Sequence, residues 1–260
     1  MNKLFDLSGK VAIVTGSSRG IGRAIAEALA DAGAQVVISS RNLDACEEAA
    51  AAINAQMGET RATPIAADIS VKDDLRVLVA ETEKRLGPVD VLVCNAAVSS
   101  HYGPTLEIPD DEFHKIINGN ILSNQWLVQL VAPGMIERRA GSIIIVASLG
   151  AYLGSGMIGT YHVSKAADLQ MVRNLAVELG KYSIRVNAIS PGITKTDFAK
   201  RLWEDPAGVE QVTKRTPLCR IGVPGEMAGA AVYLAAEASA FMTGQSLLID
   251  GGMAIGPARL

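Results

Sequence analysis

Cysteine and histidine are scarce in this chain, with three of each in 260 residues. Cys46, Cys94 and Cys219 are odd in number and have no metal-ligand spacing, which argues against a disulfide framework and for reduced thiols. His101, His114 and His162 are scattered, so no metal is expected. The formal charge is only -3 and no block of five like charges occurs, which argues against a nucleic-acid partner. No stretch of 18 residues is free of turn formers, so a membrane span is not expected. The opening Met1-Asn2-Lys3-Leu4-Phe5-Asp6 lacks the apolar segment of a secretory signal, and a cytoplasmic setting is expected. Linkers, repeats and low-complexity tracts are likewise missing, and residues 1–260 read as one domain.

What is present is a large apolar fraction, 49 %, enough for a substantial core. It is distributed in short runs at 11–15, 35–39, 63–67, 89–93, 143–146, 184–189 and 246–250. Stretches with helical spacing separate them, at 21–32, 42–56, 71–86, 110–137, 160–180 and 224–236, with Pro133 a candidate kink. Strands alternating with helices of this length predict an α/β, doubly wound sheet of seven parallel strands with helices on both faces. Residues 193–218 do not fit the alternation and are expected to form a partly helical lid. In such a sheet ligands sit beyond the carboxyl ends of the strands, where Gly16, Ser40, Asp68, Asn95 and Ser148 all fall.

Two stretches carry chemistry. Gly16-Ser17-Ser18-Arg19-Gly20-Ile21-Gly22 follows the first strand and opens the first helix. Glycines admit a pyrophosphate to the backbone, and the helix start offers free N–H groups to it. The spacing differs from the usual dinucleotide fingerprint, and a plain tight turn is the bland alternative. The second stretch runs from Ser148, at the end of an apolar strand, through a Gly-rich loop to Tyr161 and Lys165. The last two are four residues apart, so they share a helix face, and an ammonium beside a phenol favours phenolate. A solvated surface pair is the bland alternative. His162, turned away from Tyr161 on the helix, reads as structural, and Asn120 as either a satisfied buried amide or a water-holding site residue.

Together these residues resemble the short-chain dehydrogenase/reductase family, and the likeness covers essentially the whole chain. Thr15-Gly16-x3-Gly20-Ile21-Gly22, Asp68, Asn95-Ala96-Ala97, Asn120, Ser148, Tyr161, Lys165, Pro191-Gly192 and Thr196 match its motifs in order. Cys94 and Ala97 depart from its Asn-Asn-Ala-Gly segment. The resemblance implies a Rossmann-type fold and hydride transfer between a nicotinamide cofactor and a ketone or secondary alcohol. It makes Tyr161 the proton donor or base and Lys165 the group that lowers its pKa and holds the nicotinamide ribose. Ser148 would bind the substrate oxygen, and Asn120 a water linking Lys165 to solvent. Cofactor contacts are implied for Gly16, Ser18, Arg19, Gly20, Ile21, Gly22, Ser40, Arg41, Asp68, Ile69, Asn95, Ala96, Ala97, Tyr161, Lys165, Pro191, Gly192, Ile193 and Thr196. Substrate contacts are expected from Ser148, Tyr152, Tyr161 and Trp203, with Val98, Tyr102, Leu153, Met157, Ile193, Phe198 and Leu202 as further wall candidates for a mainly apolar substrate.

The second strand ends Ser39-Ser40-Arg41, without the acid that reads NAD ribose hydroxyls. Arg41 and Arg19 could grip an added phosphate, so NADP(H) is the expected cofactor, with NAD(H) possible. The segments around Asn95, Pro191 and Leu202-Trp203 look like NADPH-dependent carbonyl reductases, and similar enzymes are usually tetramers built on the helices at 110–137 and 160–180. The ending Ala258-Arg259-Leu260 resembles a relaxed peroxisomal address. A catalytically silent nucleotide sensor and a sugar-nucleotide epimerase or dehydratase remain alternatives. The second would normally carry a further substrate domain, and about ten residues follow the seventh strand.

Overall fold

The computed structural model describes residues 3–256, so the Ala258-Arg259-Leu260 ending lies outside the described residues. The apolar runs form seven parallel strands: β1 (Val11–Thr15), β2 (Gln35–Ser39), β3 (Ala62–Pro64), β4 (Val91–Cys94), β5 (Gly141–Val146), β6 (Ile184–Pro191) and β7 (Ser246–Ile249). Their order in the sheet is β3-β2-β1-β4-β5-β6-β7. The direction of winding reverses between β1 and β4, and a crevice opens there at the carboxyl ends. The helices are α1 (Gly20–Asp31), α2 (Leu43–Met57), α3 (Lys72–Leu86), α4 (Asp110–Ile117), α5 (Ser123–Arg138), α6 (Gly159–Leu179), α7 (Pro206–Arg215) and α8 (Gly225–Ala235).

Strand alternation builds two cores. Ile13, Val37, Leu92, Ile143 and Ile145 face α3, α5 and α6, where Leu75, Leu78, Leu127 and Val172 meet them. Ala12, Val14, Val36, Ile38, Val93 and Ile144 face the other way, onto Ile25, Leu29, Ile53 and Leu234 of α1, α2 and α8. Both faces of the sheet are therefore dry, which is why its strands read as continuous apolar runs.

Three boundaries differ from expectation. β3 stops at Pro64, which has no N–H to donate, although Ile65 and Ala67 still donate to the Ile38 and Ser40 carbonyls at 3.0 Å. β6 runs on to Pro191, because β7 pairs alongside it as far as Pro191 with Ile249. The expected helix over 110–137 is interrupted, but not at Pro133, which sits inside α5. The interruption is one π-helical turn, Asn118–Leu122, between α4 and α5.

Candidate active site

The winding reversal places a cleft of about 1630 Å³ over the carboxyl ends of the strands. A small-ligand pocket typically measures about 300–1,000 Å³, so this one has room for two ligands side by side. One half is built on the glycine turn. Gly16 has φ of 65°, and a Cβ there would lie 3.0 Å from Asn95 Nδ2 and the Ala96 Cα. Helix α1 starts at Gly20 with no side chain capping its first amides, so those donors face the cleft. Gly22 is needed for a different reason: a Cβ there would lie 2.4 Å from both Asn95 Nδ2 and the Gly16 carbonyl oxygen. Asn95 Nδ2 donates to the Thr15 and Gly16 carbonyls at 2.9 and 3.2 Å, and Thr15 Oγ1 accepts the Asn95 and Ala96 amides. Asn95 thus clamps β4 to the glycine turn.

Gly16, Ser18, Arg19, Gly20, Ile21, Ser40, Arg41, Asp68, Ile69, Asn95, Ala96 and Ala97 all line this half. Gly22 does not line it, because it is packed beneath the turn. Burial opposes ionisation of Asp68, but the Ser70 hydroxyl and amide and the nearby Arg41 charge hold its carboxyl below the usual range. Arg19 is held by a carboxylate. Its Nη1 lies 3.2 Å from Asp197 Oδ2, an exposed pair that joins the glycine turn to the segment after β6. The cradle, the free amides and the absence of an acid at the end of β2 fit a dinucleotide carrying phosphate.

The other half gathers the expected reactive groups. Ser148 lies two residues beyond β5, where its Oγ accepts the Gly150 amide at 3.0 Å. The hydroxyl proton has no acceptor among the described residues. Tyr161 and Lys165 come in on the first turns of α6, and all three residues line the cleft. The Tyr161 ring packs against Phe198 at a tilt of 47°, with 5.7 Å between centres, and its hydroxyl bonds no described residue. Lys165 Nζ lies 5.8 Å from the centre of that ring. Its side chain is only 2 % exposed, and Nζ donates to the Val146 carbonyl and to Asp168 Oδ2, both at 2.9 Å. Burial disfavours the ammonium, yet the Asp168 carboxylate, together with Tyr161 and Cys94, outweighs this and holds the Lys165 pKa above its ordinary value.

Asn120 lies in the π turn, fully buried, with both N–H bonds of its side chain engaged. Its Oδ1 accepts the Val98 amide at 2.6 Å, and its Nδ2 donates to the Val98 carbonyl and to Ser164 Oγ, both at 2.9 Å. It fastens the loop after β4 to α6. His162 fastens the loop after β5 in the same manner, with Nδ1 2.7 Å from the Leu153 carbonyl oxygen. Of the expected substrate residues, Ser148 and Tyr161 are in the cleft and Tyr152 and Trp203 are not. Tyr152 points outward, 46 % exposed. Trp203 donates Nε1 to the Thr196 carbonyl at 2.8 Å and lies under the Lys195 ammonium. Leu149, Leu153, Ile158, Ile193, Phe198 and Leu202 supply the apolar wall, and Pro191, Gly192 and Thr196 line the cleft as well. Sequence reasoning missed Asp168, Asn124, Ser164 and the clamping hydroxyl of Thr15. Asp168 left one signal, an acid inside an apolar helix stripe three residues after Lys165. No group of three His, Cys, Asp or Glu among the described residues is placed to hold a metal. No helix among them is long and apolar enough to cross a membrane.

A doubly wound parallel sheet, a glycine cradle at its switch point and a Ser-Tyr-Lys set facing that cradle define a Rossmann-type oxidoreductase. The chain belongs to the short-chain dehydrogenase/reductase family: the family model described as enoyl-(acyl carrier protein) reductase matches residues 16–254. It is 39 % identical over 246 residues to dehydrogenase/reductase SDR family member 4 of Bos taurus, covering 95 % of this chain and 88 % of that one. It is 38 % identical over 255 residues to 5-keto-D-gluconate 5-reductase of Escherichia coli K12, covering 98 % and 99 %. A crystal structure of a gluconate 5-dehydrogenase from Burkholderia cenocepacia J2315, in complex with NADP and tartrate, superposes with a TM-score of 0.91. That protein is 33 % identical, with 96 % of this chain and 97 % of that one covered.

Proposed function

We propose that this protein transfers a hydride between NADP(H) and a ketone or secondary alcohol. The observation that carries the reading is the convergence of Ser148, Tyr161 and Lys165 on a cleft whose other half is a phosphate cradle. A bound reduced nicotinamide would supply the hydride. Ser148, with its proton free, donates a hydrogen bond to the carbonyl oxygen and stabilises the charge that develops there. Tyr161 gives that oxygen a proton in reduction and takes one in oxidation. Lys165 supplies the positive charge that favours phenolate, and its remaining N–H is available to a ribose hydroxyl. Asn120 holds the loop carrying Val98 against α6, which keeps the reactive face of the helix in register.

NADP(H) preference rests on Arg41, exposed at the cleft rim, and on Ser39-Ser40 where an acid would read NAD. The NADP in the B. cenocepacia relative agrees with it. We propose that residues 193–218, which include Asp197–Leu202 and α7, form a lid, that the chain assembles as a tetramer, and that it works in the cytoplasm with Cys46, Cys94 and Cys219 as free thiols. The exposed apolar side chains Phe113, Leu122, Val163 and Val177 on α4, the π turn and α6 support assembly.

The apolar wall favours an apolar ketone. One observation favours a second reading. Arg201 and Arg215 line the same cleft and have no carboxylate within 4 Å among the described residues, and Arg201 stacks on Tyr102 at 5.2 Å. A ketone bearing a carboxylate would meet them. Matched ketones with and without a carboxylate, followed by NADPH oxidation, separate the two. The proposed chemistry is tested by Tyr161→Phe, which removes the transferable proton and should lower kcat by about 10²-fold or more with NADPH affinity retained. Near-normal turnover would remove Tyr161 from the mechanism.

A further inference from the structure

Lys165 reaches the cleft from a closed network of buried polar groups. Asp168, one helical turn on along α6, has a side chain with 0 % exposure and does not line the cleft. Its Oδ2 accepts from Lys165 Nζ at 2.9 Å, and its Oδ1 accepts from Asn124 Nδ2 at 3.0 Å. Asn124 also donates to the Asn120 carbonyl at 2.6 Å, which ties the network to the π turn. Both carboxylate oxygens thus face N–H donors and neither faces an acceptor, the arrangement of an ionised carboxylate. A buried ammonium without such a partner would lose its proton to escape the cost of desolvation.

The donor inventory sharpens the point. An ammonium has three N–H bonds, and Val146 O and Asp168 Oδ2 engage two of them. One remains, and Lys165 lines the cleft together with Tyr161, where a ribose hydroxyl of a bound cofactor would be able to accept it. We propose that Asp168 is a positioning residue that keeps Lys165 protonated and directs its third N–H into the cleft. This rests on the reading of Lys165 as the lysine of the active site. The other titratable groups around the pair are Tyr161 on the same helix and Cys94 at the end of β4. Burial, reinforced by the Asp168 charge, pushes the Cys94 thiol far up, so it stays neutral and does not replace the carboxylate. Among the described residues, the faces from α5 and β5 contribute the Asn124 amide and the Val146 carbonyl.

The test is the titration of Lys165 in the full-length protein carrying ¹³Cε-labelled lysine, with the resonance identified by its loss in Lys165→Met. In the wild type the signal should keep its ammonium position to beyond pH 10. In Asp168→Asn, nearly isosteric, the midpoint should fall by at least tenfold in proton affinity. Asp168→Ser, smaller and still able to accept from Asn124, should do the same. A wild-type Lys165 that deprotonates below pH 9 overturns the proposal whatever the variants do, as does an unchanged midpoint in either folded variant. In NADPH-dependent reduction of 2,3-butanedione, kcat/KM of Asp168→Asn should fall on the alkaline side at the midpoint that the resonance reports. A packing role alone would lower the rate at every pH equally. Should the wild type reduce no carbonyl, the resonance still decides the role of Asp168 and the failure belongs to the proposed reaction.

Discussion

Replacing Gly22 by alanine tests how the glycine turn and the β4 end are held together. The added Cβ would lie 2.4 Å from the Gly16 carbonyl oxygen and 2.4 Å from Asn95 Nδ2. The first is backbone in a turn at positive φ and the second belongs to a side chain held by two hydrogen bonds, so neither yields freely. Overpacking of this kind costs about 1–3 kcal/mol. Displacing Asn95 forfeits two hydrogen bonds at about 0.5–1.5 kcal/mol each. Against this, alanine in place of glycine in a helix returns at most about 1 kcal/mol. The expected net loss is about 3 kcal/mol, or roughly 6–12 °C in Tm for a domain of this size. Thermal unfolding followed by circular dichroism measures it, and NADPH affinity should fall with it because the cradle moves. Gly229→Ala is the control, since it lies inside α8 with nothing within 4 Å of its Cβ position. It should be neutral or stabilising by up to about 1 kcal/mol. A Gly22→Ala protein that melts within about 2 °C of wild type, a shift of no more than about 1 kcal/mol, or a control that loses as much as Gly22→Ala is expected to lose, would refute the close-approach argument.

Arg41→Ala should weaken NADPH far more than NADH, by about 1.5–3 kcal/mol in binding for a lost charged hydrogen bond; equal weakening of both, measured by fluorescence titration, would show that Arg41 does not read the phosphate. Arg19→Ala should have a smaller effect, since Arg19 is paired with Asp197. Hydrogen exchange should be fast over 193–218 and slow on adding NADPH and a ketone, and equal protection in both states would count against a lid. The Arg220 guanidinium and the Val223 amide hold the Glu226 carboxyl down at about 2. A depressed carboxyl contributes stability above its unfolded pKa of about 4.5 and loses it as pH falls toward 2. Glu226→Gln should therefore lower stability modestly near pH 7, because the pair is largely exposed, and flatten the acid limb in urea unfolding so that variant and wild type converge as pH falls toward 2.

Much of this molecule is written in local pattern. The seven strands, the switch-point crevice and the Gly16–Gly22 turn follow from spacing that neighbouring residues alone can specify, since apolar periodicity and glycine punctuation act over a few positions. Ser148, Tyr161 and Lys165 were legible because a strand end and an i, i+4 pair are local features. What lay beyond the sequence is whatever depends on contacts between distant segments. Asn120 reads in sequence as a satisfied buried amide or a water-holding site residue, and only the packing of the π turn against α6 gives its amide to Val98 and Ser164. Tyr152 and Trp203 sit in the expected segments, but loop geometry turns one to solvent and the other onto the Thr196 carbonyl. Arg19 looks free in the sequence, and a carboxylate 178 positions away claims it. Asp168 is the sharpest case. An acid in a helix stripe is ordinarily a surface residue, and only the closing of α5 and α6 over β5 buries it, because that closure removes the water that would otherwise solvate it and leaves Lys165 and Asn124 as its partners.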